Sequence, residues 1–175
     1  MIAALSLPTA LTARSGEVTL RRATGDDLAA LIRLMSDDPI SAARGDRADA
    51  ADTPAYATAL SDVLADPANE LLVAEDEHGT VVATVQLTGI PGLARQGATR
   101  LLVEAVRVSS AQRSSGIGSA IMRWVTGIAA PTLGAGLVQL TSDEARADAH
   151  RFYERLGFVG SHRGFKFLVP SRRSI

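Results

Sequence analysis

Arg113-Ser114-Ser115-Gly116-Ile117-Gly118 stands between an apolar, strand-like run, Leu101 to Val108, and a helix-like run that opens near Ser115. Peptide N–H groups therefore gather where a strand hands over to a helix. Amides at a helix start have no intrahelical acceptor, the helix dipole adds roughly half a positive charge there, and glycine lets the chain pass close to phosphate oxygens. Such a turn suits a pyrophosphate, with Arg113 adding a charge and a planar donor fork. The same sequence is also compatible with a simple tight turn, so its neighbours decide.

Two familiar phosphate loops are excluded by spacing. After Gly116-Ile117-Gly118 come Ser119, Ala120 and Ile121, with no third small residue in dinucleotide-binding register and no acidic ribose ligand closing a second strand. No Lys-Ser/Thr pair follows the glycines, which rules out a Walker loop.

The order strand, R-x-x-G-x-G, helix, strand, then Ala149-His-Arg-Phe-Tyr153-Glu-Arg-Leu-Gly-Phe158, resembles the GNAT superfamily of acyl-CoA-dependent N-acetyltransferases. The likeness runs from Val18-Thr-Leu-Arg-Arg-Ala-Thr-Gly-Asp26, similar to the family's first strand and helix start, through Phe167. It implies an α/β fold with a mixed, mostly antiparallel sheet, helices on both faces, and a splay between parallel strands 4 and 5. It also implies acetyl-CoA as cosubstrate. Its pyrophosphate would lie on Arg113, Ser114, Ser115, Gly116, Ile117, Gly118 and Ser119, and its pantetheine arm along the main chain of Val106, Arg107 and Val108.

Direct transfer to an amine needs two proton movements. The ammonium form, with a pKa of about 10.4 for a lysine-like amine, must be deprotonated before it attacks the thioester. Glu104 is the base candidate: strand alternation puts it on one face with Val106 and Val108, amid apolar neighbours where a lone carboxylate is costly. An edge glutamate or an ion pair with Arg100 or Arg107 is the competing reading. The departing thiolate needs a donor, and Tyr153 matches the family's helix tyrosine ahead of its Leu-Gly-Phe turn. Read without the likeness, it is an ordinary amphipathic core tyrosine. Many relatives carry asparagine where Arg146 stands, so Arg146 is either a phosphate or substrate contact or a solvated helix charge. His150, three residues before Tyr153, reads as a surface or core-edge histidine.

The remaining sequence bounds these readings. The 175 residues are 46% hydrophobic and carry a net charge of -1, enough for a core and without general attraction to nucleic acid or anionic membranes. There is no cysteine, so a cysteine acyl-enzyme is excluded, and three scattered histidines form no metal-binding pattern. Lys166 is the only lysine among 18 basic residues, which together with the many alanines reads as a GC-rich genome. Residues 1–15, apolar without a basic start, are expected to be a flexible leader, followed by one acetyltransferase domain over 16–175 of a cytoplasmic protein.

Periodicity places strands at Glu17–Arg22, Glu70–Glu75, Thr80–Thr88, Ala98–Val108 and Leu137–Thr141, with paired strands near Phe158–His162 and Phe165–Val169. Thr24 with Asp27 reads as an approximate capping box for a first helix with Leu28, Leu31, Ile32 and Met35 on its apolar face. Further helices are expected at Thr53–Ala65 (Tyr56, Leu60, Val63 and Leu64 inward), Ser115–Ile128 (Trp124 and Ile128 inward) and Ala145–Leu156. Substrate choice is expected in the irregular segment 37–53, whose aspartates alternate with arginines, and in the 89–97 link. A small-molecule or protein amine is the expected acceptor, a homodimer the state the family favours, and a non-catalytic acyl-CoA-binding sensor the alternative.

Overall fold

The computed structural model describes residues 2–38 and 49–169, and these fall into two compact units, residues 1–140 and 141–175. The first unit is built on a six-stranded sheet in the order β1 (Thr9–Ala13), β2 (Gly16–Arg22), β3 (Asn69–Glu75), β4 (Val81–Ile90), β5 (Thr99–Val108) and β6 (Ala135–Leu140). Every neighbouring pair is antiparallel except β5 and β6, which run parallel. Parallel neighbours need a crossover, supplied here by α3 (Ile117–Trp124) and its continuation to Thr132. The mostly antiparallel mixed sheet expected from the family likeness is therefore present.

The leader expected over residues 1–15 is instead part of this unit. Thr9–Ala13 pairs with Gly16–Leu20, Leu11 is buried, and Ile2 and Leu5 are each 3% exposed. These short apolar residues lack the alternation that marks a strand, yet their burial removes enough apolar surface to fix the segment.

Helices cover both faces. Helix α1 (Leu28–Ser36) and α2 (Thr53–Ala65) set Leu31, Leu34 and Leu60 against Leu71 and Val73 of β3, with Val81 and Ala23 in the same cluster. The expected capping box opens this layer: the Thr24 N–H donates to Asp27 Oδ2 at 2.8 Å, ahead of a 3₁₀ turn that leads into α1. Arg21 ties this start to the sheet, donating to both Asp27 oxygens at 2.8 Å and to Glu75. On the opposite face, Val85, Leu87, Leu101 and Val103 are at most 2% exposed, and α3, with Ile117, Ile121 and Trp124 buried, packs on β1, β4 and β5.

Two inward assignments fail. Leu64 is 42% exposed at the end of α2. Ile128 is turned outward because Val125–Ala129 forms a π-helical turn closed by the Ala130 N–H on Val125 O, so the wider turn buries Ala129 in its place.

The second unit is dominated by α4 (Ala147–Arg155). The strands expected near 158–162 and 165–169 do not form. The described residues there are without regular structure, and Phe165 and Phe167 stand 90% and 86% exposed. An isolated hairpin is marginal in water, and Gly160 and Gly164 weaken this one further.

Candidate active site

Strand β5 carries the first part of the site. Its pairing with β6 ends at Val103 opposite Leu140, while β4 accompanies it to Val108. The backbone from Glu104 to Val108 thus keeps one edge beyond its last β6 partner, consistent with the expected splay. Such an edge offers N–H and C=O groups to an extended ligand by strand-like addition.

Within this run the strand bulges. Gln86 pairs with Glu104 and Thr84 with Arg107, so two β4 steps match three on β5, and Ala105 has φ +50°. A bulge shifts the alternation of everything after it. Glu104 consequently shares a face with Arg107, and not with Val106 and Val108 as simple alternation requires. That face is the one covered by α1 and α2. Glu104 is exposed on it, and Arg107, half-buried, donates from Nη1 to Val106 O at 2.9 Å.

After β5 the chain makes a short 3₁₀ turn and enters the glycine-containing turn. Ser114 and Gly116 take left-handed conformations, φ +61° and +91°. The first helical bond runs from the Ala120 N–H to Gly116 O at 2.9 Å, so the amides of Ile117, Gly118 and Ser119 precede the helical ladder. The Ile117 side chain is buried, which leaves only its main chain for a ligand. The Arg113 guanidinium is turned elsewhere: its Nη2 donates to Asp37 O at the end of α1, at 2.5 Å. The Ser110 N–H donates to the Asp37 carboxylate at 2.5 Å, and this bond, with Arg113 nearby, holds that carboxyl below its usual range. A cavity of about 370 Å³ lies beside this latch, lined by Arg33, Leu34, Ser36, Asp37, Ser109 and Ser110.

Of the two segments expected to select substrate, residues 39–48 lie outside the described residues. The 89–97 link is described. Arg95 and Gln96 both have left-handed backbones, φ +56° and +60°, ahead of Gly97 at +81°. Two consecutive non-glycine residues there cost roughly 1–2 kcal/mol each.

The second unit presents Tyr153 in a defined helix end. The Phe158 N–H donates to Tyr153 O at 3.1 Å and the Gly157 N–H to Glu154 O at 3.0 Å, with Gly157 at φ +89°. This is a Schellman closure, and it accounts for Leu-Gly-Phe after the tyrosine. His150 Nε2 donates to the Asp143 carbonyl at 2.8 Å, which gives that histidine a loop-fixing role. Among the described residues no three His, Cys, Asp or Glu side chains gather as a metal site, and no helix is long and apolar enough to cross a membrane.

The Acetyltransferase (GNAT) family model matches residues 29–158. The chain belongs to this family. Among solved structures it is similar to a transcriptional regulator from Bacillus halodurans C-125, at 39% identity and a TM-score of 0.81, over 87% of this chain and 99% of that one. The acetyltransferase of Trypanosoma brucei shares the fold at 22% identity and a TM-score of 0.69, over 87% of this chain and 99% of that one. So does the glucosamine-6-phosphate N-acetyltransferase of Arabidopsis thaliana, at 15% identity and a TM-score of 0.69 over the same shares of the two chains. No curated protein matches the chain.

Proposed function

We propose that the protein transfers an acetyl group from acetyl-CoA to a primary amine by direct attack in a ternary complex. The observation that carries this reading is the continuity of two backbone features. The β5 edge at 104–108, beyond its β6 partner, leads through one short turn to the amides that precede the α3 ladder. An extended amide-bearing arm fits the first and a diphosphate the second.

In this scheme Glu104 takes the ammonium proton, directly or through water, and the free amine attacks the thioester carbonyl. A C–N bond forms, the C–S bond breaks as the tetrahedral intermediate collapses, and Tyr153 donates to the departing thiolate. Within Ser114 to Ser119 the phosphates are held by the main-chain N–H groups of Ile117, Gly118 and Ser119, since the Ser115 N–H is already given to Gln112 O at 3.3 Å. With no cysteine in the chain, a cysteine acyl-enzyme has no place in the scheme. A cytoplasmic setting and a homodimeric state belong to the same reading and rest on the family likeness.

A second reading, a non-catalytic acyl-CoA-binding regulator, draws on the 39% identity with a transcriptional regulator. Calorimetry with CoA, followed by thiol release from acetyl-CoA across a panel of small and peptide amines with mass spectrometry of products, separates the two. Product with a mass gain of one acetyl group supports the enzyme. CoA binding without release supports the regulator, and no CoA binding overturns both.

A further inference from the structure

The turn between β1 and β2 lies across the glycine-containing turn. The Ser15 N–H donates to Ser115 O at 3.0 Å, and Arg14 Nη2 donates to Ser114 O. A Cβ on Gly116 would stand 2.7 Å from the Arg14 backbone nitrogen and 3.0 Å from its Cβ. The N-terminal hairpin is thus seated on this turn by two hydrogen bonds and by a contact that only glycine permits.

Seating of this kind has an electrostatic consequence. The guanidinium of Arg113, the motif's own cation, is directed to Asp37 O. The cation at Ser114 is Arg14, supplied from outside the motif by a different element. A guanidinium has five N–H donors in a planar fork, so one bond to a carbonyl leaves others for phosphate oxygens.

We propose that Arg14 is a phosphate-binding residue for the CoA cosubstrate, recruited to the turn by the N-terminal hairpin. This rests on the reading given under Proposed function. CoA carries a diphosphate and a ribose 3′-phosphate, and either presents the same chemistry to Arg14. Calorimetry of the full chain and of Arg14→Gln and Arg14→Lys, with CoA and with dephospho-CoA, tests it alongside melting midpoints. Arg14→Gln is expected to weaken CoA binding about tenfold or more, with Arg14→Lys intermediate, while the midpoint falls only slightly because the lost bond to Ser114 O is exposed and the Ser15 N–H bond to Ser115 O remains. A loss that persists with dephospho-CoA assigns the diphosphate, and one that disappears assigns the 3′-phosphate. Equal CoA affinity in the unaltered chain and Arg14→Gln overturns the proposal alone. Equal losses in both variants together with a markedly lowered midpoint assign Arg14 to hairpin seating and also overturn it. Failure of the unaltered chain to bind CoA overturns the underlying reading with it.

Discussion

Tyr153 and Phe158 meet edge to face, ring centroids 5.8 Å apart and planes at 68°, because the Schellman closure folds the residue after Gly157 back over the last turn of α4. The contact between these two helix-end positions commonly accompanies that closure. The tyrosine ring is therefore accounted for by the helix end, whereas its hydroxyl is not required by this contact.

That separation makes the Tyr153 assignment testable. Tyr153→Phe keeps the ring contact and is expected to change stability by at most about 1.5 kcal/mol, the usual range for one lost hydrogen bond. With a good acceptor its kcat is expected to fall about 100-fold, the lower end for a lost general acid. Phe158→Ala is expected to do the reverse, costing about 1–3 kcal/mol in denaturant unfolding through the loosened helix end. Unchanged turnover in Tyr153→Phe removes the donor role.

Gly116→Ala places a methyl group against the Arg14 backbone in a conformation, φ +91°, that side chains seldom adopt. Gly79, in the β3–β4 hairpin, has φ +75° and open space around it, and so isolates the cost of the dihedral. Gly79→Ala is expected to cost about 1 kcal/mol. Gly116→Ala is expected to cost about 2–3 kcal/mol or more, since strain and overlap combine, and to weaken CoA binding. Urea unfolding of both variants checks the ordering, and equal losses would show that the hairpin gives way without cost.

Asp27 links the cap of α1 to β2 and β3 through Arg21, itself held by Glu75. The guanidinium hydrogen bonds hold the Asp27 carboxyl below its usual range, against a smaller opposing effect of burial. A carboxylate with a depressed folded pKa stabilises the fold above its unfolded value, near 3.8, and that contribution is lost as pH falls through the lower folded value. Asp27→Asn is expected to cost about 2 kcal/mol at pH 7, reduced from a fully buried pair because Arg21 is partly exposed and keeps Glu75. It is also expected to flatten the stability profile below about pH 4. Thermal unfolding between pH 3 and 7 measures both.

Much of this arrangement is legible from sequence, for physical reasons that differ by element. The strands from β2 to β5 show because β-branched and apolar residues repeat over runs bounded by turn residues. The cap at Thr24 shows because its partner is three residues away. Local rules fail where tertiary packing decides. Thr9–Ala13 has no alternation and becomes a strand because β2 is beside it. The bulge at Ala105 has no glycine or proline to mark it, so Glu104 is placed on the wrong face by simple counting. Phe165-Lys166-Phe167 has strand character, yet its described residues find no ladder. The site follows the same division: the main-chain turn is readable from its glycines, whereas the seating of Arg14 and the diversion of Arg113 to Asp37 depend on segments about 75–100 residues apart.

The face shift at Ala105 bears directly on the base. Glu104 is exposed and lies on the α1 and α2 face with Arg107, so its replacement is expected to leave stability within about 0.5 kcal/mol. Its contribution to turnover is set by how scarce free amine is. For an acceptor of pKa about 10.4, the uncharged fraction is about one part in 2,500 at pH 7 and about one in 25 at pH 9. If Glu104 removes that proton, Glu104→Gln lowers kcat/KM about 100-fold near pH 7, and the deficit narrows as pH rises and the acceptor deprotonates unaided. If the carboxylate only draws a cationic acceptor toward the sheet, the loss appears in KM, weakens with salt and does not narrow in this way. Steady-state rates from pH 6.5 to 9.5 at two ionic strengths distinguish the two, and a pH-independent loss in kcat with unchanged KM rules out both.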